Sequence, residues 1–236
     1  MILITGSAGF IGFHLAKYYL KKNIRVIGID NYSDYYDIKF KKNRTNILKL
    51  NKKFTFLKVD LSNKKSFEKL NKYKNKINFI FHLAGQAGVR YSFKNPASYI
   101  KNNIEAYIYL LEYFKYQKNI KAILYASSSS IYGDNVENEK NKMISVYAVS
   151  KKALEQISSV YNHNYNLNFV GMRFFTVYGP YGRPDMAVYK FFDRITKNQK
   201  IEIYNYGNHS RSYTYITDVV ENINKIIIFI KKKEHK

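Results

Sequence analysis

Tyr147 and Lys151 are the residues whose types and spacing most directly suggest chemistry. They open a helical pattern, Tyr147-Ala148-Val149-Ser150-Lys151, and residues four apart on a helix share a face, so both can address one ligand. A nearby ammonium favours the phenolate over the ordinary tyrosine pKa of about 10, which makes Tyr147 a candidate proton-transfer group near neutral pH. Upstream, the apolar run Ile123-Leu124-Tyr125-Ala126 leads into four serines, Ser127 to Ser130. Spacing alone is weak. The same pattern occurs at Tyr18/Lys22 and Tyr35/Lys39 in a chain with 24 tyrosines, and those two pairs read as solvated faces. Position in a larger pattern separates the third pair from them.

That pattern begins at the N-terminus. Ile2 to Thr5 reads as a strand, followed by Gly6-Ser7-Ala8-Gly9-Phe10-Ile11-Gly12 and a helical stretch to about Lys22. Strand, glycine turn and helix in that order form a phosphate site, because glycines let backbone N–H groups approach a pyrophosphate at the positive end of the helix. A second strand, Ile24 to Ile29, ends at Asp30. A carboxylate there accepts hydrogen bonds from adenosine ribose hydroxyls and disfavours a 2'-phosphate, so the expected cofactor is NAD rather than NADP. The bland alternative is a surface aspartate after a strand.

The remaining elements must bring these groups together. Asn31 to Asn43 reads as a polar, tyrosine-rich loop, and Phe54 to Val59 as a third strand ending at Asp60-Leu61, beside the adenine. Ile77 to Leu83 is a fourth strand leading into Ala84-Gly85-Gln86-Ala87-Gly88, where small residues let a cofactor lie against the backbone. His82 reads as a core residue, since no second ligand stands at metal spacing. A long helix from Pro96 to Tyr116 carries Asn103, and Ile120 to Ala126 is a fifth strand. The helix bearing Tyr147 runs from Ile144 to about Tyr161, before a sixth strand over Leu167 to Met172. Strands alternating with helices predict an α/β fold with a doubly wound parallel sheet of the Rossmann type. After Arg173 the character changes: a turn-rich loop, Gly179 to Pro184, precedes a helix over Ala187 to Thr196. Short strands over Ile201 to Tyr204 and Arg211 to Ile216 follow, then a closing helix over Asp218 to Ile230. The expected organisation is a nucleotide domain over 1–175 and a separate C-terminal lobe over 176–236.

Composition narrows the class. With 236 residues, 46% hydrophobic, the chain is long enough for an ordinary core. No cysteine means no disulfide framework and no thiolate metal site. The N-terminus reads as a strand rather than a signal peptide, and Ile226 to Ile230 is too short to cross a bilayer, so a cytoplasmic protein without membrane insertion is expected. The net charge of +23 raises a nucleic-acid reading. Lysine, asparagine, isoleucine and tyrosine are spread along the whole chain, however, which reads as coding bias, and no specific nucleic-acid partner is expected.

Together these motifs resemble the extended short-chain dehydrogenase/reductase superfamily and, within it, the UDP-glucuronate 4-epimerases. The carriers are Thr5 to Gly12, Asp30-Asn31 with Asp34 to Asp37, His82 to Ser92, Tyr125 to Gly133, Tyr147 to Lys151, and Arg173 to Pro180 with Gly182 to Met186. Gly85 and Ala106 are mild departures, where alanine and glycine are usual. The resemblance implies a UDP-sugar substrate, a homodimer, and catalysis by Ser128, Tyr147 and Lys151. It implies NAD contacts at Gly6, Gly9, Phe10, Ile11, Gly12, Asp30, Asn31, Asp60, Leu61, Leu83, Ala84, Gln86, Asn103, Tyr147 and Lys151. Substrate contacts are expected at Arg90, Ser127, Ser128, Ser129, Ser130, Thr176, Arg183 and Arg211. Dehydratase and decarboxylase relatives carry acids in the segment that holds serines here, which argues against those reactions. Family members continue past the point matching Lys236, so the resemblance implies a C-terminally truncated chain in which 176–236 is a partial C-terminal substrate-binding lobe. Other readings are an epimerase of a neutral UDP-hexose, an NAD-binding remnant without turnover, and a nucleic-acid binder.

Overall fold

The computed structural model describes residues 1–133, 143–203, 205–208 and 210–233. β1 (Ile2–Thr5) is buried at every position, as a parallel strand covered on both faces must be. β2 (Val26–Asp30), β3 (Phe54–Lys58), β4 (Phe79–His82), β5 (Ala122–Ser128) and β6 (Phe169–Phe174) complete a six-stranded sheet. Its order is β3-β2-β1-β4-β5-β6, and every pairing is parallel. The crossovers are built by α1 (Phe10–Lys21), α2 (Ile38–Lys49), α3 (Val89–Lys94), α4 (Ala97–Tyr99), α5 (Ala106–Phe114) and α6 (Val146–Tyr165), with 3-10 turns over Lys64–Lys76. β7 (Thr176–Tyr178) pairs in parallel with β8 (Tyr213–Tyr215) in a separate ribbon. α7 (Ala187–Thr196) lies between these two strands in sequence, and α8 (Ile216–Lys233) follows them.

The pleat sends alternate residues to opposite faces of the sheet. Ile2 and Ile4 pack with Phe13 and Leu15 of α1 and with Val219, Ile223 and Ile227 of α8. Leu3 packs on the other face with Leu110 and Leu111 of α5 and Leu154 of α6. α8, expected as the closing helix of the 176–236 lobe, therefore covers the same sheet face as α1.

Two expectations fail locally. The presumed loop over Asn31 to Asn43 is helical from Ile38, because Asp37 caps α2 by accepting from the Lys39 amide at 2.8 Å. Residues 201–203 form no strand, and Tyr204 lies outside the described residues. The long helix is contiguous from Ala97 to Phe114 but is wound as a π-helix over Ile100–Glu105. At the centre of the sheet, β1 has β2 on one side and β4 on the other, which opens a crevice beyond the strands' carboxyl ends.

Candidate active site

That crevice is a cleft of about 420 Å³, and one end is formed by the glycine turn. Gly6 sits at φ +69°, where a Cβ would stand 2.8 Å from the Ala84 nitrogen, so a side chain is excluded twice over. Gly9 stands at the N-cap of α1 with no capping side chain and no acid in the first turn, while Phe10, Ile11 and Gly12 line the cleft. An uncapped helix N-terminus is a site for an anion. Asp30 accepts from the Ala8 amide at 3.2 Å and the Tyr32 amide at 2.8 Å. Burial pushes its carboxyl up, against those bonds and the nearby Lys41 and Arg44 charges. At Asp60, burial is outweighed by bonds from the Ser62 hydroxyl and amide and from Asn31, which hold the carboxyl below its usual range. Asn31, Asp60, Leu61, Leu83, Ala84 and Gln86 complete the wall. An anion cradle, a carboxylate one strand away and a backbone floor of small residues fit an extended dinucleotide such as NAD.

The other end is set by α6. Ser145 caps the helix, its Oγ accepting from the Ala148 amide at 3.1 Å, so the first turn presents Tyr147 to the cleft. Lys151 is buried and donates to the Ala126 carbonyl at 2.8 Å. Burial brings its ammonium down to about 8. Its Nζ lies 5.9 Å from the centre of the Tyr147 ring. Asn103 is positioned by the π-helical segment and works from behind the wall. It accepts from the Gln86 amide at 2.6 Å, donates to the Gln86 carbonyl at 3.1 Å, and donates to Ser150 Oγ at 2.9 Å. One amide thus ties the Gln86 backbone in the cleft wall to the helix turn that carries Tyr147 and Lys151.

Ser127, Ser128, Ser129, Ser130, Thr176 and Arg183 line the cleft beside Tyr147. Ser128 Oγ accepts from the Ser130 amide and donates to its hydroxyl, both at 3.2 Å. Ser127 instead donates to Glu155 at 2.7 Å. Glu155 also accepts from Arg173 Nε at 2.8 Å and Nη2 at 2.9 Å. Burial opposes ionisation there, but the bonds from Arg173 and Ser127 bring the carboxyl down to about 2. Arg90 and Arg211 are exposed and stand outside the cleft lining; Arg211 donates to the Ser210 carbonyl at 2.8 Å. His82 is buried, bonded to Thr5 and stacked on Tyr107, as a core residue should be.

Sequence reasoning missed several groups. Tyr35, expected on a solvated face, lines the cleft and donates to Asp185 at 3.0 Å. Lys41 also lines it and donates to the Ser33 carbonyl and hydroxyl at 2.7 Å. Arg44, 1% exposed, donates to the carbonyls of Ala8, Tyr181 and Gly182 and to the Tyr36 hydroxyl. It staples the glycine turn to the loop that carries Arg183. The Tyr-rich stretch from Asn31 carried a signal that more than a loop was present, but nothing in it named these partners.

A doubly wound sheet with a dinucleotide cradle and a tyrosine–lysine pair at its switch point defines a nucleotide-cofactor protein of the extended short-chain type. Residues 2–235 match the NAD dependent epimerase/dehydratase family, and the chain belongs to that family. It is 43% identical to UDP-glucuronate 4-epimerase 4 of Arabidopsis thaliana over 93% of its own length, and spans 52% of that relative. The crystal structure of a UDP-glucuronic acid 4-epimerase from Bacillus cereus, in complex with UDP-glucuronic acid and NAD, superposes with a TM-score of 0.86 at 34% identity. That match covers 96% of this chain and 72% of the other. A UDP-glucose 4-epimerase from Thermotoga maritima, solved with UDP-glucose, gives a TM-score of 0.82 at 29% identity, covering 93% of this chain and 71% of the other.

Proposed function

We propose that this NAD-dependent UDP-sugar 4-epimerase acts on UDP-glucuronate, interconverting it with UDP-galacturonate through a 4-keto sugar. The observation that carries the reading is the grouping of one cation, Arg183, with the hydroxyls of Ser128, Ser129, Ser130 and Thr176 in the cleft that holds Tyr147 and Lys151. Bound NAD supplies the two-electron acceptor and donor at C4. Tyr147 takes the O4 proton as the ketone forms and returns it after the sugar has turned its other face. Ser128 holds O4 by a hydrogen bond, and Lys151, whose Nζ stands 5.9 Å from the centre of the Tyr147 ring, orients the reacting end of the cleft. The ketone is a β-keto acid, which loses carbon dioxide when its carboxylate bond stands perpendicular to the carbonyl plane. A guanidinium fork and adjacent hydroxyls can hold the carboxylate near that plane. No acid stands between Ser127 and Gly133 to drive dehydration instead.

NMR of UDP-glucuronate incubated with the protein and NAD tests this. Conversion to the C4 epimer is expected, with a fall of about a hundredfold or more in Tyr147→Phe, the scale of a lost general base. A neutral UDP-hexose is the second reading, carried by the likeness to the Thermotoga enzyme; it requires turnover of UDP-glucose that ignores Arg183→Ala. Cytoplasmic residence and a homodimer through the helices over 97–114 and 146–165 belong to the same proposal. The exposed Ile100, Val149 and Val160 on those helices support the dimer, and light scattering on the purified chain tests it.

A further inference from the structure

Arg183 spends one edge of its guanidinium on a neighbour. Nε donates to Asp185 Oδ1 at 3.0 Å and Nη2 to Oδ2 at 2.5 Å. The Tyr35 hydroxyl donates to the same Oδ2 at 3.0 Å, and the guanidinium carbon lies 6.0 Å from the Tyr35 ring centre. Tyr35 reaches this point from the loop after β2, beneath Gly88. That glycine sits at φ +102°, where a Cβ would collide with the Tyr35 hydroxyl. Two segments distant in sequence therefore meet at one carboxylate, with Gly88 packed against the hydroxyl that joins them.

A guanidinium has five N–H donors in one plane, so a carboxylate on the Nε edge leaves the end-on edge for another acceptor. Among the described residues Nη1 of Arg183 has no hydrogen-bond partner, and Arg183 lines the cleft. A carboxylate arriving there can be held by two parallel bonds, and the plane in which it is held follows the plane of the guanidinium. Asp185 determines that plane. The charges are stable through the neutral range: burial and the Asp185 charge push the Tyr35 phenol up to about 12, so it stays a donor. The Arg183 guanidinium holds the Asp185 carboxyl below its usual range despite burial, so it stays an acceptor.

We propose that Asp185, held by Tyr35, is a positioning residue that aims the free edge of Arg183 at the carboxylate of a uronate in the cleft, and so gives preference for a charged sugar over a neutral one. The inference rests on the UDP-glucuronate reading. It also assigns the pair a part in retaining carbon dioxide. If the carboxylate swings out of plane, the C5–C6 bond breaks, its electron pair passes to O4 as an enolate, and C5 takes a proton. Carbon dioxide then leaves a 4-keto pentose, and the two electrons removed from C4 remain with the cofactor.

Calorimetry with NAD present, using UDP-glucuronate and UDP-glucose on the unaltered chain, Asp185→Asn and Tyr35→Phe, tests the proposal. Asp185→Asn is expected to weaken UDP-glucuronate about tenfold while UDP-glucose changes less than about twofold, with a smaller shift of the same kind in Tyr35→Phe. The fraction of turnovers ending in carbon dioxide should rise in both variants. A merely structural lesion weakens both sugars alike and leaves that fraction unchanged. Parallel weakening, no change, or tighter UDP-glucuronate binding overturns the inference. If Asp185→Asn fails to fold, Tyr35→Phe, which preserves every charge, carries the test. An unaltered chain without preference for UDP-glucuronate overturns the substrate reading and this inference with it, whereas preference that survives both substitutions overturns this inference alone.

Discussion

The apolar faces of α1 and α7 meet opposite fates. α1 buries Phe10, Phe13, Leu15, Ala16, Tyr19 and Leu20 against the sheet. α7 is also amphipathic but buries none of its residues, leaving Val188, Phe192 and Ile195 more than half exposed. An amphipathic pattern specifies which face of a helix is apolar, and only a partner turns that face into stability. The segment before α7 is attached differently, by polar tethers and ring contacts to the nucleotide half. Arg44 donates to the Tyr181 and Gly182 carbonyls, His14 donates to the Pro180 carbonyl at 2.8 Å, and Tyr181 packs its ring on Phe13. The glycine turn thus stands on a hydrophobic core, while the loop that carries Arg183 is held by directed bonds and ring contacts.

Truncating the core sharpens the contrast most. Phe81→Ala, in fully buried β4, should cost about 3–5 kcal/mol in chemical denaturation. A smaller and opposite effect is expected at Lys151, an ammonium whose burial works against stability. Its ammonium, brought down to about 8 from 10.5 by burial, implies an adverse bias of about 3 kcal/mol at neutral pH. Lys151→Met should therefore raise the melting temperature at pH 7 while abolishing turnover, although the bond to Ala126 is lost. The sign with pH follows from proton counting: between about 8 and 10.5 the unfolded chain holds the proton and the folded chain does not, so stability rises through that window. The advantage of the methionine variant should shrink correspondingly, and constant advantage across it would contradict the burial account. The smallest effect belongs to α7, where Phe192→Ala, at an exposed position, should stay within about 0.5 kcal/mol. A loss comparable to that of Phe81→Ala would erase the distinction between the two regions.

The legibility of the chain follows the same division. The strand–glycine–helix unit, Asp30, and the Tyr147/Lys151 pair were readable because each depends on spacing within one element or one turn. The serine run was readable as a group of hydroxyls at the end of an apolar strand, but not the diversion of Ser127 to Glu155, which lies on a different element. α2 was partly hidden by tyrosines and lysines that read as loop, although the Asp37 cap marks its start.

Amino-acid order by itself determined the sheet, its alternation with helices, the glycine turn before α1 and the shared face of Tyr147 and Lys151, since periodicity and glycine placement act over a few residues. Tertiary structure alone decided that Tyr35 meets Asp185 across 150 positions, and that Arg44 reaches Tyr181 across 137. Such partners are chosen by where crossovers return the backbone, and a side chain's donors carry no record of which distant acceptor will be brought within 3 Å of them.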